Sequence, residues 1–329
     1  MASEAPRHLP PGPDDESWLP PDVEGTVLTV GTFDGVHLGH QAILARLAER
    51  ARGAGLRSLL VTFDPHPLEV VNPDAAPPLL TPGREKLVAL TQSPLDYVAV
   101  IPFTRTFAGY EAGQFVDLVL RDRLRMRELL IGHDHGFGRG RSGDVAFLQA
   151  LGARRGFGVE VVEPVAADGR TVSSTAIRRA VAGGDLQRAA QGLGRLYGVT
   201  GRVVQGERRG RLMGYPTLNV QPPSARKLLP PEGVYAVRVQ TPDGPFGGML
   251  NLGPKPTFGD ASRTIEAHLF DADGEWYGRI VRVEFVARLR DTRRFDGVDA
   301  LRAQLAADER RARRALEAHA RAGGTSTLR

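Results

Sequence analysis

The sequence predicts a chain of two parts: a parallel α/β region, then a six-stranded antiparallel β-barrel with a terminal helix. Three observations carry that expectation. From residue 27 to about 163, short apolar runs alternate with helical stretches, the pattern of a parallel sheet covered by helices on both faces. From 202 to 287, six strand-like runs are separated by Gly/Pro turns with no helix between them, as in a closed antiparallel sheet. A long amphipathic stretch ends the chain, with Val298, Leu301 and Leu305 on one face.

Composition is compatible with two ordinary domains. The chain has 329 residues and 41% hydrophobic content, enough for two cores. It has no cysteine, which excludes disulfides, thiolate catalysis and cysteine-ligated metal centres, and suits a reducing cytoplasm. No apolar run approaches the ~18 residues a membrane span needs, and no secretory leader pattern opens the chain. A cytoplasmic protein with no membrane partner is therefore expected. The net charge is +5, and of 43 basic residues only Lys86, Lys227 and Lys255 are lysine. The arginines are mixed with acids, as on a solvated surface, and no aromatic–basic stacking motif for nucleic acid appears.

Taken in order, residues 1–24 are proline-rich and acidic without periodicity, and read as a mobile tail. Strands are predicted at 27–30, 58–63, 97–101, 128–131 and 159–163. Helical stretches lie between them, including one with Ile43, Leu44 and Leu47 on a face and one over 111–123 with Phe115, Leu118 and Val119 inward. The chemistry-bearing stretches fall after strand ends, where ligands sit in parallel sheets. A helical connector over 185–196 precedes barrel strands at 202–205, 217–220, 234–240, 248–252, 264–270 and 280–287. The divisions expected are 1–24 tail, 25–186 first domain, 187–322 second domain and 323–329 tail.

The richest stretch is Gly31-Thr32-Phe33-Asp34-Gly35-Val36-His37-Leu38-Gly39-His40. Strand, glycine turn and helix point backbone N–H groups and a positive dipole end at an anion, and glycine lets backbone approach it closely. No Walker lysine pattern occurs, so histidine, arginine and backbone amides would have to cradle any triphosphate. His37 and His40 alone are equally well helix caps. A metal site of Asp34, His37 and His40 is a rival without a supporting ligand cluster.

This stretch resembles the H-x-G-H nucleotidyltransferases, and narrows to the adenylyltransferase half of bacterial bifunctional riboflavin kinase/FAD synthetases. Further motifs agree in order over about 25–318. Phe63-Asp64-Pro65-His66-Pro67 is similar to a loop of that family. Gly132-His133-Asp134-His135-Gly136-Phe137-Gly138 resembles its nucleotide and flavin segment, with His135 where a Phe is expected. Val172-Ser173-Ser174-Thr175-Ala176-Ile177-Arg178 resembles its S-S-T-x-I-R motif, and Gly214-Tyr215-Pro216-Thr217-Leu218-Asn219 its G-[FY]-P-T-x-N motif. The segment Gly201-Arg202-Val203-Val204-Gln205-Gly206, with Gly210, looks like a flap over phosphates. Arg263-Thr264-Ile265-Glu266 carries the family's carboxylate, and Asn251, Arg290, Phe295, Gln304 and Asp308 lie at similar spacings.

The resemblance implies a Rossmann-like nucleotidyltransferase domain followed by a riboflavin kinase barrel. It implies Glu266, His37 and His40 as catalytic residues. Gly31, Phe33, Asp34, Gly39, Asp134, Ser174, Thr175, Arg178, Gly206 and Gly210 would bind ATP or phosphate. Phe63, Pro65, His66, Phe137 and Asn251 would contact flavin, and the oxygens of Thr217 and Asn219 would meet Mg²⁺. ATP and Mg²⁺, with riboflavin, FMN, FAD, ADP and pyrophosphate, are the implied small molecules, acting on a monomer or weakly self-associating chain. Rivals are an adenylyltransferase for a nicotinamide or pantetheine ester, for which the barrel has no task, and a flavin-sensing or RNA-binding regulator that lost catalysis.

Overall fold

A computed structural model describes residues 5–9, 17–132, 136–138, 140, 142–163, 166–167, 170–206, 210, 213–254 and 263–323. The chain forms two compact units. The first comprises Met1–Pro77 and Lys86–Ser173, the second Pro78–Glu85 and Ser174–Arg329.

In the first unit, β1 (Arg7–Leu9), β2 (Thr26–Val30), α1 (Leu38–Gly53), β3 (Arg57–Asp64) and α2 (Pro67–Val71) come first. They are followed by α3 (Arg84–Leu90), β4 (Tyr97–Pro102), α4 (Arg105–Ala108), α5 (Ala112–Phe115), β5 (Met126–Gly132), β6 (Gly136–Phe137), β7 (Gly143–Asp144), α6 (Val145–Arg155) and β8 (Gly158–Val162). The main sheet is wholly parallel, in the order β1-β4-β3-β2-β5-β8. All five residues of β2 are buried, as expected of a strand covered on both faces. One core holds Leu28, Leu59, Leu129, Phe115 and Leu120; another packs Leu44, Leu47 and Ala51 of α1 on Val27, Leu60 and Leu130.

Three details depart from the sequence expectation. Within the stretch read as a tail, Arg7–Leu9 pairs in parallel with β4, and Leu19 and Val23 enter the core. Three residues are too few to show a period, and the partner strand supplies the order. The helix begun at α5 continues as a π-helical turn over Val116–Arg121, with bonds from Asp122 N to Asp117 O and Leu124 N to Val119 O. That wider turn shifts the phase, so Leu118, expected inward, is 46% exposed while Val119 is buried.

The second unit, apart from Pro78–Glu85, contains α7 (Ser174–Ala182), α8 (Leu186–Leu193), β11 (Gly198–Val204), β12 (Leu218–Gln221), β13 (Gly233–Thr241), β14 (Gly244–Pro254), β15 (Arg263–Leu269), β16 (Ile280–Arg290) and the helix α9 (Val298–Arg321); a short hairpin of β9 (Ala166–Ala167) and β10 (Arg170–Thr171) precedes it. Strands β11-β12-β15-β14-β13-β16 close into an antiparallel barrel. Its interior includes Tyr235 and Phe285, whose rings meet edge-on at 5.2 Å. Helix α9 covers part of the outside, with Leu305, Ala312 and Leu316 packed near Met249 and Phe270. Val298, expected on that apolar face, is 59% exposed in the helix's first turn.

Candidate active sites

Strand order fixes the first site. From β2 the chain steps outward through β3 and β4, then returns to place β5 on the other side of β2. The strand order therefore reverses between β2 and β5, and a crevice opens there beyond the carboxyl ends. Residues 31–40 leave β2 at that point. The loop is conformationally costly: Phe33, Gly35 and Val36 have φ of 48°, 90° and 41°. Left-handed backbone at a β-branched residue costs on the order of 1–3 kcal/mol. Phe33 and Val36 are buried at 4% and 2% exposure, and their burial in the α1 core offsets it.

His37 is the N-cap of α1, and its Nδ1 accepts the His40 backbone N–H at 3.2 Å. In the neutral ring the proton is then on Nε2. The two imidazoles stack with centroids 3.6 Å apart and 15° between planes, and His40 also meets the Phe33 ring at 4.5 Å. The capping role and a chemical role therefore coexist in one residue. A Cβ at Gly39 would lie 3.2 Å from the His37 ring and 3.6 Å from the Val172 carbonyl. A Cβ at Gly31 would lie 2.9 Å from the Phe33 ring. A side chain at Gly31 would therefore require the Phe33 ring to move, and one at Gly39 would require the His37 ring to give by a few tenths of an ångström. Asp34 and His37 are buried, at 3% and 6% exposure.

At the end of β3, His66 caps α2. Its Nδ1 accepts the Leu68 N–H at 3.2 Å, while Glu69 Oε1 accepts the His66 N–H at 3.1 Å. Pro65 precedes it. Phe63 heads a cluster of rings with Phe103, Phe107 and Phe115 at centroid distances of 5.4, 5.8 and 6.4 Å. Phe137 meets Phe115 edge-on at 5.1 Å. Phe63 and Phe137 therefore belong to one aromatic wall at the strand ends. Asp134 lies outside the described residues. Ser174 and Thr175 open α7 in the second unit, where Arg178 Nε donates to the Pro78 carbonyl at 2.9 Å.

One group went unnoticed in the sequence as a site residue. Lys86 of α3, 7% exposed, donates from Nζ to Thr32 O at 3.2 Å, Thr62 Oγ1 at 3.1 Å and Phe63 O at 2.8 Å. Burial pushes its pKa below the usual lysine value, against the opposing charges of Asp64 and Asp34. A lone lysine in an amphipathic helix gives no sequence signal; only the scarcity of lysine in the chain set it apart.

The barrel builds the second site on its outer face. Along β15 the odd residues Ile265, Ala267 and Leu269 are buried and Glu266 is half-buried, as period-two alternation requires. Glu266 stands opposite Asn219 of β12 and opposite Asn251 of β14. Paired residues of antiparallel strands share a face, so a carboxylate lies in a row between two carboxamides. Thr217, two residues before Asn219, extends that face. The turn holding Thr217 is fixed from below by His268 Nδ1, 2.8 Å from the Pro216 carbonyl. A Cβ at Gly206 would collide with the Asn219 carboxamide, and one at Gly210 with the Tyr215 carbonyl. Gly206 thus lies directly against Asn219 of β12, and Gly210 against the turn ahead of that strand.

A histidine pair at the switch point of a parallel sheet, and an oxygen-donor row on a separate barrel, define a two-module phosphate-transferring enzyme. Comparison with known proteins agrees. Residues 19–176 match the FAD synthetase family and residues 193–316 the riboflavin kinase family. The chain is 41% identical over 291 residues to a bifunctional riboflavin kinase/FMN adenylyltransferase of Escherichia coli (strain K12), covering 88% of this chain and 92% of that protein. It is 41% identical to the corresponding enzyme of Pseudomonas fluorescens, covering 90% and 94%, and 33% identical to that of Bacillus subtilis (strain 168), covering 87% and 91%. A solved chain described as a macrolide-efflux protein from Streptococcus pneumoniae superposes with TM-score 0.81 at 28% identity, covering 93% of this chain and 98% of that one. Among the described residues here, no helix is long and apolar enough to cross a membrane. The chain belongs to the bifunctional riboflavin kinase/FMN adenylyltransferase family.

Proposed function

We propose that the barrel unit phosphorylates riboflavin with ATP to give FMN and ADP, and that the α/β unit transfers AMP from ATP to FMN, giving FAD and pyrophosphate. One observation carries the reading: each family match contains its own chemical groups, the histidine pair at the switch point and the Asn219–Glu266–Asn251 row on the barrel. In the kinase step Glu266 accepts the proton of the riboflavin 5′-hydroxyl as its oxygen attacks the γ-phosphorus and ADP leaves. Asn251 orients the flavin chain, and Gly206 and Gly210 admit the phosphates. Thr217 and Asn219 offer two hard oxygen donors, and among the described residues no cluster of three His, Cys, Asp or Glu forms a metal cage. That donor set fits Mg²⁺ carried largely by ATP phosphates and water. The ion, when bound, neutralises charge on the transferring phosphoryl group.

In the adenylylation step the FMN phosphate is already anionic, so no base is needed. His37 presents Nε2–H toward the nucleotide, and His40 joins it on the α-phosphate and the departing pyrophosphate; such preorganised donors are the largest lever available. Gly31, Phe33, Asp34 and Gly39 shape the phosphate loop; the family resemblance alone assigns Asp134, Ser174, Thr175 and Arg178 to ATP. The aromatic wall of Phe63 and Phe137, with Pro65 and His66, receives the flavin. We place both reactions in the cytoplasm, on a monomer or weakly self-associating chain, with the functional division near 186/187; the gap between the matches at 176 and 193 supports that division.

The test is product analysis with riboflavin and MgATP. The intact chain should yield FMN and then FAD. His40→Ala should accumulate FMN, whereas Glu266→Gln should leave riboflavin unphosphorylated by ~10²–10⁴-fold yet still adenylylate added FMN. Equal slowing of both steps by Glu266→Gln, with the fold intact, refutes the two-site assignment.

A further inference from the structure

We infer that Lys86 is a positioning residue for adenylyl transfer, clamping the nucleotide loop of β2 to the flavin loop of β3. The geometry is closed. The side chain is 7% exposed, and its ammonium reaches three oxygens: Thr32 O, Thr62 Oγ1 and Phe63 O, at 3.2, 3.1 and 2.8 Å. Three acceptors match the three donors of an ammonium. The Thr62 hydroxyl itself donates to Thr32 O at 3.1 Å, so that carbonyl receives both groups. Thr32 sits five residues before His37, in the loop with left-handed backbone at Phe33 and Val36. Phe63 opens the stretch that carries Pro65 and His66.

These contacts define what Lys86 does and what it does not do. With its donors engaged by protein oxygens, it is no phosphate ligand, unlike the lysine of a Walker loop. Its charge lies instead near the Asp34 and Asp64 carboxylates, one from each loop. A compact ammonium is suited to this place because it bonds in three directions from one point, where a planar guanidinium would not fit the same three oxygens. The consequence is a fixed spacing between the groups that meet ATP and those that meet FMN. In a transfer that depends on alignment, a shift of about 1 Å costs roughly 10²-fold in rate.

The inference rests on the reading that residues 31–40 hold the groups for adenylyl transfer, and the experiment separates the two. Full-length Lys86→Met, Thr62→Val, Thr62→Ser, the Lys86→Met/Thr62→Val double variant and His40→Ala are assayed for FMN adenylylation, with kcat and KM for ATP and FMN. Riboflavin phosphorylation by the same preparations reports intact protein. Lys86→Met should lower kcat about 10–100-fold with KM for both substrates little changed. Thr62→Val should lower it less, Thr62→Ser should retain it, and the double variant should fall short of the product of the single effects. A selective rise in KM for ATP in Lys86→Met, or wild-type kcat, overturns the inference. If Lys86→Met gives no folded chain, the Thr62 pair decides: a loss confined to Val supports the clamp, and equal rates refute it. Full adenylylation by His40→Ala overturns the underlying site reading instead.

Discussion

Lysine and arginine divide their labour in this chain. Both described lysines are buried, Lys86 at 7% and Lys227 at 5% exposure, while arginine supplies the charged surface. Lys86 donates to two carbonyls and a hydroxyl, and Lys227 to a carbonyl and a carboxylate, each from a single point, a task the forked guanidinium does poorly. Glycine is equally specific at position 39. Alanine there would favour a helix by up to about 1 kcal/mol, but its methyl would press on the His37 ring at 3.2 Å. Gly39→Ala should therefore keep or raise the melting temperature while lowering adenylylation and sparing riboflavin phosphorylation; unchanged FAD synthesis would show that the imidazole yields without cost. At this scale the sequence drew attention to the histidines and the barrel glutamate through the ordered run of family-like motifs, since His37 and His40 alone read equally well as helix caps. It did not expose Lys86, whose partners are two backbone carbonyls and a threonine that only the fold brings together. Nor did it tell that His66 caps a helix through Nδ1, since a capping histidine and a ligand-binding one look alike in a string of letters.

Elements were legible where their period is regular. The five predicted strands of the parallel sheet and the six of the barrel each correspond to an observed strand, because apolar alternation and Gly/Pro turns are local signals. The exceptions have tertiary causes: β1 is ordered by β4, and the π turn after α5 rotates Leu118 outward. The terminal helix shows how an element is held. Asp308, fully buried on α9, accepts Arg290 Nε at 2.9–3.0 Å, Arg290 Nη2 at 2.6 Å and Gln304 Nε2 at 2.6 Å. Its carboxylate thus fastens α9 to the end of β16. Removing one member of a buried pair costs about 3–5 kcal/mol, because the other charge stays unpaired. Asp308→Ala should destabilise the barrel by that amount in denaturant unfolding, whereas Glu317→Ala, an exposed pair with Arg321, should cost no more than about 0.5 kcal/mol. Equal effects would mean that Arg290 finds water when its partner goes.

For the molecule as a whole, the order of two domains was plain from the change of pattern near 187, but the composition of the second unit was not. It contains Pro78–Glu85 as well as Ser174–Arg329. Leu79 bridges to Lys227. Glu85 accepts Lys227 Nζ at 2.6 Å and the Thr200 N–H at 2.5 Å, and Lys227 also donates to Leu80 O at 2.6 Å. Both charged side chains are 1% exposed. A proline-rich stretch between helices reads as an ordinary loop, and nothing local says that its partners lie far along the chain. The sign of a substitution should consequently depend on length. In the intact protein Lys227→Met strands a buried carboxylate and should cost about 3–5 kcal/mol. In a fragment beginning near Gln187, which lacks Glu85, the same change removes an unpaired buried charge and should raise the melting temperature. A fragment equally stable with lysine or methionine would mean that Lys227 reaches solvent once residues 78–85 are gone.

The same ion pair also sets a timetable. Glu85 and Lys227 are 142 residues apart, so at about 5–20 residues per second the ribosome delivers the lysine roughly 7–28 s after the glutamate. Throughout that interval the Glu85 carboxylate lacks its lysine, while β4, β5 and β8 of the α/β sheet are still being added. The carboxylate must wait for its partner while its neighbours fold, and the two prolines of the segment, Pro78 and Pro82, keep the stretch ahead of α3 from being drawn into a helix or sheet in the meantime.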